Sequence, residues 1–360
     1  MKNNFIYSMP TKIVYGIDSI NDINQYINGR KTLLVTSNGF IKRGLIDKVK
    51  LLTNDIVEVI SDIKSHPEFS DLEIVYNKIK GIKFDLILAI GGGSVLDASK
   101  FFSVYNDEKD FNFVDSIIRG TIPKTGYNLI PILSIPTTSG TSSEITPWAT
   151  IWDMNEKKKY SLHLPELFSE TAIYDPTLTL SIPKDITIQT GLDTLSHALE
   201  SIWNKNSNPI TINYAINSSK IILEFLPKLA NNLQNLELRD QIMRASMYAG
   251  LAFSNTQTAI AHALSYYMTT NKGIPHGIAC SFTLPLLIDE VIGKYDFVDD
   301  ALKEIFGELS SNKIRELFDE LGISTSFKDY SMSDREINIL KSSLVNSQRA
   351  NNSLITDLCV

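Results

Sequence analysis

The sequence predicts an α/β domain followed by an all-helical domain. With 360 residues, the chain is too long for one ordinary hydrophobic core, so we expect two domains. Short strand-like runs alternate with amphipathic stretches up to Pro183, and long helical periods replace them beyond it. We place the boundary there, giving an α/β domain at 1–183 and a helical domain at 184–360.

The first half contains apolar, β-branched runs typical of buried strands. They lie at 32–36, 56–60, 86–90 and 129–135. Between them, the apolar residues of 71–80 recur at helical spacing. Strands that alternate with helices predict a parallel sheet with crossover connections.

The second half has the periodicity of amphipathic helices. Asp185 is predicted to cap a helix whose apolar face runs from Ile188 to Ile202. Further helices are predicted at about 211–230, 239–270, 296–305 and 313–321.

Composition and charge exclude several classes of function. The net charge of −7 argues against a nucleic-acid partner and against an anionic membrane surface. Cys280 and Cys359 are far apart and form no CxxC pair, so neither a disulfide framework nor a thiolate zinc site is expected. The N-terminus does not resemble a signal peptide and no run is long and apolar enough to span a bilayer, so we expect a cytoplasmic protein.

Two polar loops follow predicted strands. Gly91, Gly92, Gly93 and Ser94 come directly after the run at 86–90, where glycines and a helix N-terminus suit a phosphate group. The second loop, 136–144, follows the run at 129–135. Each loop alone is also compatible with a tight turn or a plain helix cap, but together they predict a nucleotide site at the carboxyl edge of the sheet.

The helical half carries a candidate metal site. Asp193 and His197 lie four residues apart, so both project from one helix face, although a structural Asp–His pair has the same spacing. His262 stands in an apolar helical setting and His276 in a Gly-Ile-Pro-His-Gly turn that is predicted to present its ring. Three imidazoles and one carboxylate suit Fe²⁺, with Zn²⁺ as the alternative, and do not suit Ca²⁺ or Mg²⁺.

These motifs resemble a known family. GGGSVLDASK (91–100), PTTSGTSSE (136–144), GLDTLSHALES (191–201) and AHALSYYMTTNKGIPHG (261–277) are similar to the iron-containing, or group III, alcohol dehydrogenases. The resemblance implies a dehydroquinate synthase-like fold, with a dinucleotide-binding domain and a helical metal-binding domain. It also implies that Asp193, His197, His262 and His276 hold the metal.

For the cofactor, the resemblance implies NADPH or NADH. The residues that it assigns to the cofactor include Gly93, Ser94 and Asp97, together with Thr137, Thr138, Thr141 and Lys159.

Three positions depart from the family pattern. Ser37 stands where many members carry an Asp that excludes a 2′-phosphate, so NADPH is expected to be accepted. His66 replaces an Asn at a position facing the nicotinamide, and Tyr266 replaces a histidine assigned to proton relay. Tyr266 and His66 are therefore the candidate proton-transfer residues, and a purely structural His66 stays open.

The substrate is predicted to be a small aldehyde or alcohol. The stretches 148–153 and 157–162 and the C-terminal residues 349–352 resemble phosphonoacetaldehyde reductases, which form 2-hydroxyethylphosphonate. Lys272 and Arg349 are the candidate anion-binding residues, because a buried dianion needs cationic partners; solvated surface charges are the alternative. Neutral short-chain alcohols or diols are the second expectation and a dehydroquinate-synthase-like lyase a more distant one. A homodimer is left open.

Overall fold

The computed structural model describes residues 4–108, 110–156, 158–345 and 347–355. Their contacts form two compact units. The sheet unit comprises Pro10–Thr138 and Ser142–Leu178; the helical unit comprises the described parts of Met1–Met9, Ser139–Thr141 and Thr179–Val360. The boundary expected between residues 183 and 184 stays a prediction.

The sheet unit contains ten described strands and six described helices. The strands are β1 Lys12–Tyr15, β2 Thr32–Val35, β3 Ile56–Ile60, β4 Leu86–Gly91, β5 Val104–Tyr105, β6 Asn128–Leu129, β7 Ile132–Pro136, β8 Trp148–Asp153, β9 Lys158–His163 and β10 Thr171–Tyr174. The helices are α1 Ile23–Ile27, α2 Asn38–Lys42, α3 Leu45–Leu52, α4 Phe69–Ile79, α5 Gly93–Ser103 and α6 Phe111–Arg119.

The main sheet has six parallel strands in the order β1-β10-β7-β4-β2-β3. From β2, the chain continues to β3 on one side and then to β4 on the other. The strand order therefore reverses between β2 and β4. Ligands of open α/β sheets bind beyond the carboxyl ends of the strands at such a point.

Both faces of this sheet are buried, as continuous apolar strands predict. Leu33 and Val35 of β2 pack in one hydrophobic core with α4, α5 and α6. Leu34 points to the opposite face and packs in a second core with α1, α2 and α3. Residues of one strand therefore alternate between two cores, which fixes the register of the sheet.

The predicted strand at 129–135 is interrupted. β6 ends at Leu129 and pairs antiparallel with β5, and β7 begins at Ile132. Pro131 lies between them and has no N–H for a ladder, although its carbonyl accepts from Ile87 N at 3.0 Å. The sequence reading also missed the antiparallel hairpin of β8 and β9.

The helical unit contains nine helices within the described residues. They are α7 Lys184–Ile202, α8 Pro209–Asn231, α9 Leu236–Thr256, α10 Ile260–Lys272, α11 His276–Ala279, α12 Leu284–Val291, α13 Asp296–Phe306, α14 Asn312–Leu321 and α15 Asp334–Leu344. A single large core joins the apolar faces of α7 to α10 and α12 to α14. None of the helices in the described ranges is both long and apolar enough to cross a membrane.

Two predicted features of these helices are wrong in detail. The residue that precedes α7 is Pro183, and Asp185 lies in the first turn without capping it. The single helix predicted over 239–270 is two helices in the structure. Gln257 adopts a φ of 66°, which ends α9 and separates it from α10.

Candidate functional site

The carboxyl ends of β2, β4 and β7 meet at one edge of the sheet. Thr36 Oγ1 donates to the Ile90 carbonyl at 2.8 Å, and Thr137 N donates to the Gly91 carbonyl at 2.9 Å. These bonds bring together the segments that carry Ser37, the Gly91–Ser94 loop and Thr137–Thr138. The structure therefore places these predicted nucleotide-binding residues along one edge.

The Gly91–Ser94 loop, called the glycine loop below, lies close to the loop that follows β7. A Cβ added at Gly92 would lie 3.2 Å from both Oγ1 and Cγ2 of Thr138, so the backbone here approaches its neighbour closely. Helix α5 begins at Gly93 and presents its free N–H groups at this point. The first turn of α5 can thus bind a phosphate, because its free N–H groups donate hydrogen bonds and the helix dipole favours a negative charge.

Asp97 holds in place the second polar loop, residues 136–144, which we call the hydroxyl-rich loop. It accepts from Ser143 Oγ at 2.6 Å and from Thr150 N at 2.9 Å. Burial raises the pKa of this carboxyl, and the neighbouring Lys100 opposes the shift. Both carboxylate oxygens are engaged within the protein, so its expected contact with the cofactor stays a prediction.

Lys100 was missed by the sequence reading. Its Nζ is almost fully buried and donates to the carbonyls of Ser143, Thr146 and Trp148. Burial lowers the pKa of Lys100 to about 8, against the pull of Asp97 and Glu144. The ammonium fixes the loop that follows Thr138, and its spacing from Asp97, three residues along α5, is the signal that could have identified it.

His66 lies in a small cluster with Trp152 and Lys159. Its backbone is left-handed, with a φ of 57°, and its N donates to Ser94 Oγ at 3.3 Å. The imidazole meets the Trp152 ring edge-on at 5.0 Å, and Lys159 Nζ lies 5.3 Å from the same ring. Burial, followed by Lys159, lowers the pKa of His66. The contact with Ser94 links His66 to the glycine loop.

Ser37 and Arg43 lie on either side of Gly39. A Cβ at Gly39 would lie 3.7 Å from Ser37 Oγ and 4.0 Å from an Arg43 guanidinium nitrogen. Arg43 also packs over the Phe40 ring at 5.0 Å. A hydroxyl and a guanidinium thus lie at the corner after β2, and the contact of Ser37 with the cofactor stays a prediction.

In the helical unit, the three imidazoles of the predicted metal site converge on one carboxylate oxygen of the fourth ligand, Asp193. Asp193 Oδ1 lies 3.8 Å from His197 Nδ1, 3.4 Å from His262 Nε2 and 3.8 Å from His276 Nε2. Ligands held by one ion at about 2.0–2.3 Å lie roughly 3.3–3.8 Å apart in a tetrahedral arrangement. The spacing therefore fits a shared cation.

Two of these imidazoles have a buried nitrogen without a partner. His197 Nδ1 and His262 Nε2 are both buried and make no hydrogen bond to the described residues. Unsatisfied buried nitrogens are costly, at about 1–3 kcal/mol each. A divalent ion bound between them would satisfy both nitrogens, so the residues present fit a metal ion.

Glu200 orients His262 and was missed by the sequence reading. Its buried carboxylate accepts from His262 Nδ1 at 2.6 Å and from the backbone N–H groups of Ala259 and Ala261. Because Nδ1–H is committed to Glu200, the lone pair of Nε2 faces Asp193. The signal in the sequence that could have identified Glu200 is its position in α7, three residues after His197.

Cys280 also reaches this cluster. Its buried Sγ donates to Asp193 Oδ1 at 3.3 Å and to the Gly277 carbonyl at 3.4 Å. The possible ligand atoms of Asp193, His262, His276 and Cys280 all lie within 4.8 Å of one another. The thiol is thus as close to the carboxylate as the imidazoles are.

Gly277 explains the form of the His276 turn. His276 opens the short helix α11, and a Cβ at Gly277 would lie 1.8 Å from the Gln189 carbonyl oxygen of α7. Only glycine permits this contact between α11 and α7. The residue thereby brings His276 to Asp193 and His197.

The hydroxyl-rich loop also contributes to the helical unit. Ser139 O accepts from Thr194 Oγ1 at 3.2 Å, and a Cβ at Gly140 would lie 2.8 Å from the Thr190 Cβ. This part of the loop therefore lies against α7 beside Asp193. Thr141 belongs to the same short segment, and its contact with the cofactor stays a prediction.

Tyr266 and Arg349 lie next to each other. Tyr266 is one helical turn beyond His262, and the Arg349 guanidinium carbon lies 5.1 Å from its ring centre. Burial raises the pKa of Tyr266, and Arg349 opposes the shift. Arg349 also donates to Thr258 Oγ1 at 3.1 Å, and no carboxylate pairs with it among the ion pairs of the described residues.

Lys272 has a different environment. Its Nζ lies 2.6 Å from Glu336 Oε1 and donates to the Ser331 carbonyl at 2.8 Å. A positive charge already paired in this way contributes little to binding an anion. The geometry supports Arg349 over Lys272 as the candidate anion-binding residue.

Comparisons with known proteins cover nearly the whole chain. A family profile described as iron-containing alcohol dehydrogenase matches residues 10–176, and one for the C-terminal region of the same family matches residues 187–355. A sulfoacetaldehyde reductase from Bilophila wadsworthia is 30% identical over 92% of this chain and 90% of its own. An NADPH-dependent butanol dehydrogenase from Clostridium saccharobutylicum is 28% identical over 92% of this chain and 88% of its own.

The fold is shared with solved structures. The sulfoacetaldehyde reductase of Bifidobacterium kashiwanohense, solved in complex with NAD⁺, superposes with a TM-score of 0.89 at 27% identity and covers 98% of this chain and 95% of its own. Some similar proteins are longer: the chain spans 41% of an aldehyde-alcohol dehydrogenase from Streptococcus pneumoniae, at 26% identity.

Proposed function

The chain belongs to the iron-containing alcohol dehydrogenase family, and from this premise we propose that it is a metal-dependent, NAD(P)H-linked aldehyde reductase. The best candidate substrate is phosphonoacetaldehyde, which would be reduced to 2-hydroxyethylphosphonate. The observation that carries the proposal is the convergence of three imidazoles on the Asp193 carboxylate, with two buried nitrogens left unpaired.

The proposed metal ligands are Asp193, His197, His262 and His276. A divalent ion bound there would supply a Lewis acid that polarises the substrate carbonyl. Glu200 fixes the orientation of His262, and Gly277 fixes the position of His276. These contacts hold the ligands in place before the ion arrives, which reduces the cost of binding it.

The proposed cofactor site is the carboxyl edge of the sheet. Gly92, Gly93 and Ser94 would hold the diphosphate with backbone N–H groups, and Asp97 and Lys100 keep the adjoining loop rigid. The nicotinamide supplies the hydride in this chemistry. Thr137 and Thr138, at the end of β7, complete the set at this edge, while Thr141 and Lys159 are retained as proposed contacts.

Tyr266 is the proposed proton donor to the product oxygen. Because burial raises its pKa, the phenol keeps its proton at neutral pH. It follows His262 by one helical turn, which puts its side chain on the same face of α10. His66 is the second candidate, and its contact with Ser94 relates it to the cofactor site.

The anionic substrate is supported by Arg349. This guanidinium has no carboxylate partner among the described ion pairs and lies against Tyr266. Two similar proteins are named for sulfoacetaldehyde, a two-carbon aldehyde that carries a sulfonate. Phosphonate and sulfonate both present three oxygens to a guanidinium, so sulfoacetaldehyde belongs in the same test.

A neutral short-chain aldehyde is the second candidate. It is favoured by the similarity to the butanol dehydrogenase of Clostridium saccharobutylicum. In that case, Arg349 would be a surface charge without a role in binding.

A comparison of three aldehydes tests these candidates. We expect kcat/KM for phosphonoacetaldehyde or sulfoacetaldehyde to exceed that for butyraldehyde. Arg349→Ala should lower the ratio by about ten- to a hundredfold, the value of roughly 1.5–3 kcal/mol for a charge-assisted contact. Arg335→Ala, an exposed arginine of α15, is the matched control. Equal efficiency on all three aldehydes, unchanged by Arg349→Ala, would leave the neutral substrate as the better candidate.

A further inference from the structure

We propose that Thr258 determines substrate specificity together with Arg349, by donating its hydroxyl hydrogen to the acid group of the aldehyde. The inference rests on the proposed function and deepens it, because it adds a residue to the part of the site that binds the acid group. That part then contains a charged donor and a neutral one. Such a pair suits a group with several anionic oxygens, such as a phosphonate or a sulfonate.

The free hydrogen of the Thr258 hydroxyl carries the proposal. Thr258 is only 7% exposed, and its Oγ1 accepts from Arg349 Nη1 at 3.1 Å. Its own O–H has no acceptor among the residues that the structure describes. A buried donor without an acceptor is costly. The hydroxyl is therefore available to donate to an oxygen of a bound ligand.

Arg349 offers further donors beside this hydroxyl. Its Nη1 donates to Thr258, whereas Nε and Nη2 have no acceptor in the described part of the chain. The guanidinium carbon lies 5.1 Å from the ring centre of Tyr266, so the aromatic ring supports the group. A guanidinium can donate to two oxygens of one acid group, and the Thr258 hydroxyl can then donate to the third.

Glu200 fixes Thr258 relative to the predicted metal ligand His262. Its carboxylate accepts from the N–H of Ala259, the residue after Thr258, at 2.9 Å. The same carboxylate accepts from His262 Nδ1 at 2.6 Å. One side chain therefore holds both the metal ligand and the segment that carries the proposed donor. This arrangement suits a short aldehyde whose acid group lies close to its carbonyl.

Contacts from the C-terminal segment hold Thr258 next to Arg349. Asn352 Nδ2 donates to the Thr258 carbonyl at 3.0 Å. Gln257, the residue before Thr258, has a left-handed φ of 66°, and its carbonyl accepts from Asn204 Nδ2 at 3.1 Å. Unfavourable backbone conformations of this kind occur at functional sites, where surrounding contacts maintain them. The two donors are thus in place before a substrate binds.

Steady-state kinetics of matched variants test the proposal. The measured quantity is the ratio of kcat/KM for phosphonoacetaldehyde or sulfoacetaldehyde to kcat/KM for butyraldehyde. Thr258→Val removes the hydroxyl and keeps the shape of the side chain, and we expect it to lower this ratio by about ten- to a hundredfold. Thr258→Ser keeps a hydroxyl and should restore most of the ratio. Thr125→Val, at an exposed position of the sheet unit, is the control, and an unchanged ratio in Thr258→Val would overturn the proposal.

A double variant separates a direct contact from a positioning role. If Thr258 only held Arg349 in place, Thr258→Val would have no further effect on the ratio in Arg349→Ala. We expect a further fall of about three- to tenfold, because the hydroxyl itself contacts the acid group. No further fall would show that Thr258 acts only through Arg349, contrary to the proposal.

Binding of the expected product gives a readout that does not depend on turnover. Metal-loaded protein is titrated with 2-hydroxyethylphosphonate in a calorimeter. We expect the Kd of Thr258→Val to be about ten- to a hundredfold higher than that of the wild type, and the Kd of Thr258→Ser to stay close to it. Equal Kd values for wild type and Thr258→Val would count against the contact.

The outcomes also separate this inference from the proposed function. A wild-type protein without a preference for the acid aldehydes over butyraldehyde would refute the anionic substrate, and the role of Thr258 with it. A preference that Arg349→Ala removes and Thr258→Val leaves unchanged would refute the role of Thr258 alone. Should Thr258→Val not fold, Thr258→Ala removes the same hydroxyl and provides the same comparison.

Discussion

At the scale of single residues, Glu200 is the group on which His262 depends most directly. Its carboxylate accepts the Nδ1–H of His262 and two backbone N–H groups that open α10. The imidazole cannot rotate without breaking the 2.6 Å bond. Glu200 therefore acts on the metal site through His262 and touches no reacting atom.

We expect Glu200→Gln to weaken metal binding by roughly 10–100-fold, the usual effect of removing the hydrogen-bond partner of a metal-binding histidine. The amide keeps one acceptor and loses the negative charge that makes imidazole a stronger ligand. Titration against a chelator measures the change, and Glu224→Gln on the exposed face of α8 serves as the control. An unchanged affinity would mean that Glu200 only holds the α9–α10 connection.

Ser37 is the residue that we expect to decide cofactor preference. Its hydroxyl and the Arg43 guanidinium both approach Gly39, and a carboxylate in this corner would repel a 2′-phosphate. Ser37→Asp should shift the kcat/KM preference from NADPH towards NADH by about ten- to a hundredfold, corresponding to about 1.5–3 kcal/mol. Steady-state kinetics with both cofactors measure it, and Ser70→Asp, at an exposed position of α4, adds the same charge elsewhere. A wild-type protein that strongly prefers NADH, and keeps that preference in the variant, would refute the prediction.

Single residues differ in how well the sequence reveals them. Asp193 and His197 could be predicted as candidate ligands from their four-residue spacing. This spacing places both side chains on one face of a helix, which depends only on the local sequence. Glu200 was missed because its role depends on a contact with His262 of α10, which is distant in sequence. The pairing of Lys272 with Glu336 could not be predicted for the same reason, because Glu336 lies 64 residues further along the chain.

At the scale of elements, Lys100 joins α5 to the hydroxyl-rich loop. Its pKa is lowered by burial to about 8 from the ordinary 10.5. Between these pH values, the unfolded chain holds a proton that the folded chain has lost, so the free energy of unfolding rises with pH across this range. Below about pH 8 both forms are protonated, and the folded form bears the cost of a buried charge.

Lys100→Met should remove this part of the pH dependence. We expect the difference in unfolding free energy between wild type and variant to grow from about pH 8 to about 10.5, and to remain constant below pH 8. At neutral pH, the variant should also be less stable, because the buried carbonyls of Ser143 and Thr146 lose their donor at about 1–3 kcal/mol each. Lys303→Met, at an exposed position of α13, is the control. Parallel pH curves for wild type and Lys100→Met would contradict the role of Lys100.

Gly277 is the position at which α11 touches α7. An alanine Cβ would lie 1.8 Å from the Gln189 carbonyl oxygen, so α11 must shift and move His276. We expect Gly277→Ala to lower the free energy of unfolding by about 1–3 kcal/mol and to weaken metal binding. Gly81→Ala, whose Cβ meets no atom within 4 Å, is the control. Thermal unfolding and metal titration check this prediction, and normal metal affinity would show that His276 does not depend on the contact.

Elements were predictable where the pattern was long or strongly apolar. The strands at 32–35, 56–60 and 86–91 and helix α8 follow from local periodicity. The hairpin of β8 and β9 could not be predicted with the same rule, because polar lysines and tyrosine interrupt its alternation. The break between α9 and α10 is set by the left-handed Gln257, which no propensity favours.

At the scale of the whole molecule, the fold class is confirmed: one unit is a parallel α/β sheet, and the other is helical. The alternation of strands and helices in the sequence predicted the fold class but not the order of the strands in the sheet. The order β1-β10-β7-β4-β2-β3 depends on pairing between segments far apart in sequence, so the position of the switch between β2 and β4 emerged only from the structure.

The central claim is that hydride transfer from a nicotinamide to an aldehyde depends on the ion held by Asp193, His197, His262 and His276. The most direct test measures NADPH oxidation by phosphonoacetaldehyde in protein stripped with a chelator and then reloaded with Fe²⁺ or Zn²⁺. We expect the stripped protein to be inactive, the reloaded protein to recover, and Asp193→Ala to stay inactive although it still binds the cofactor. Full turnover in the metal-free protein would contradict the account.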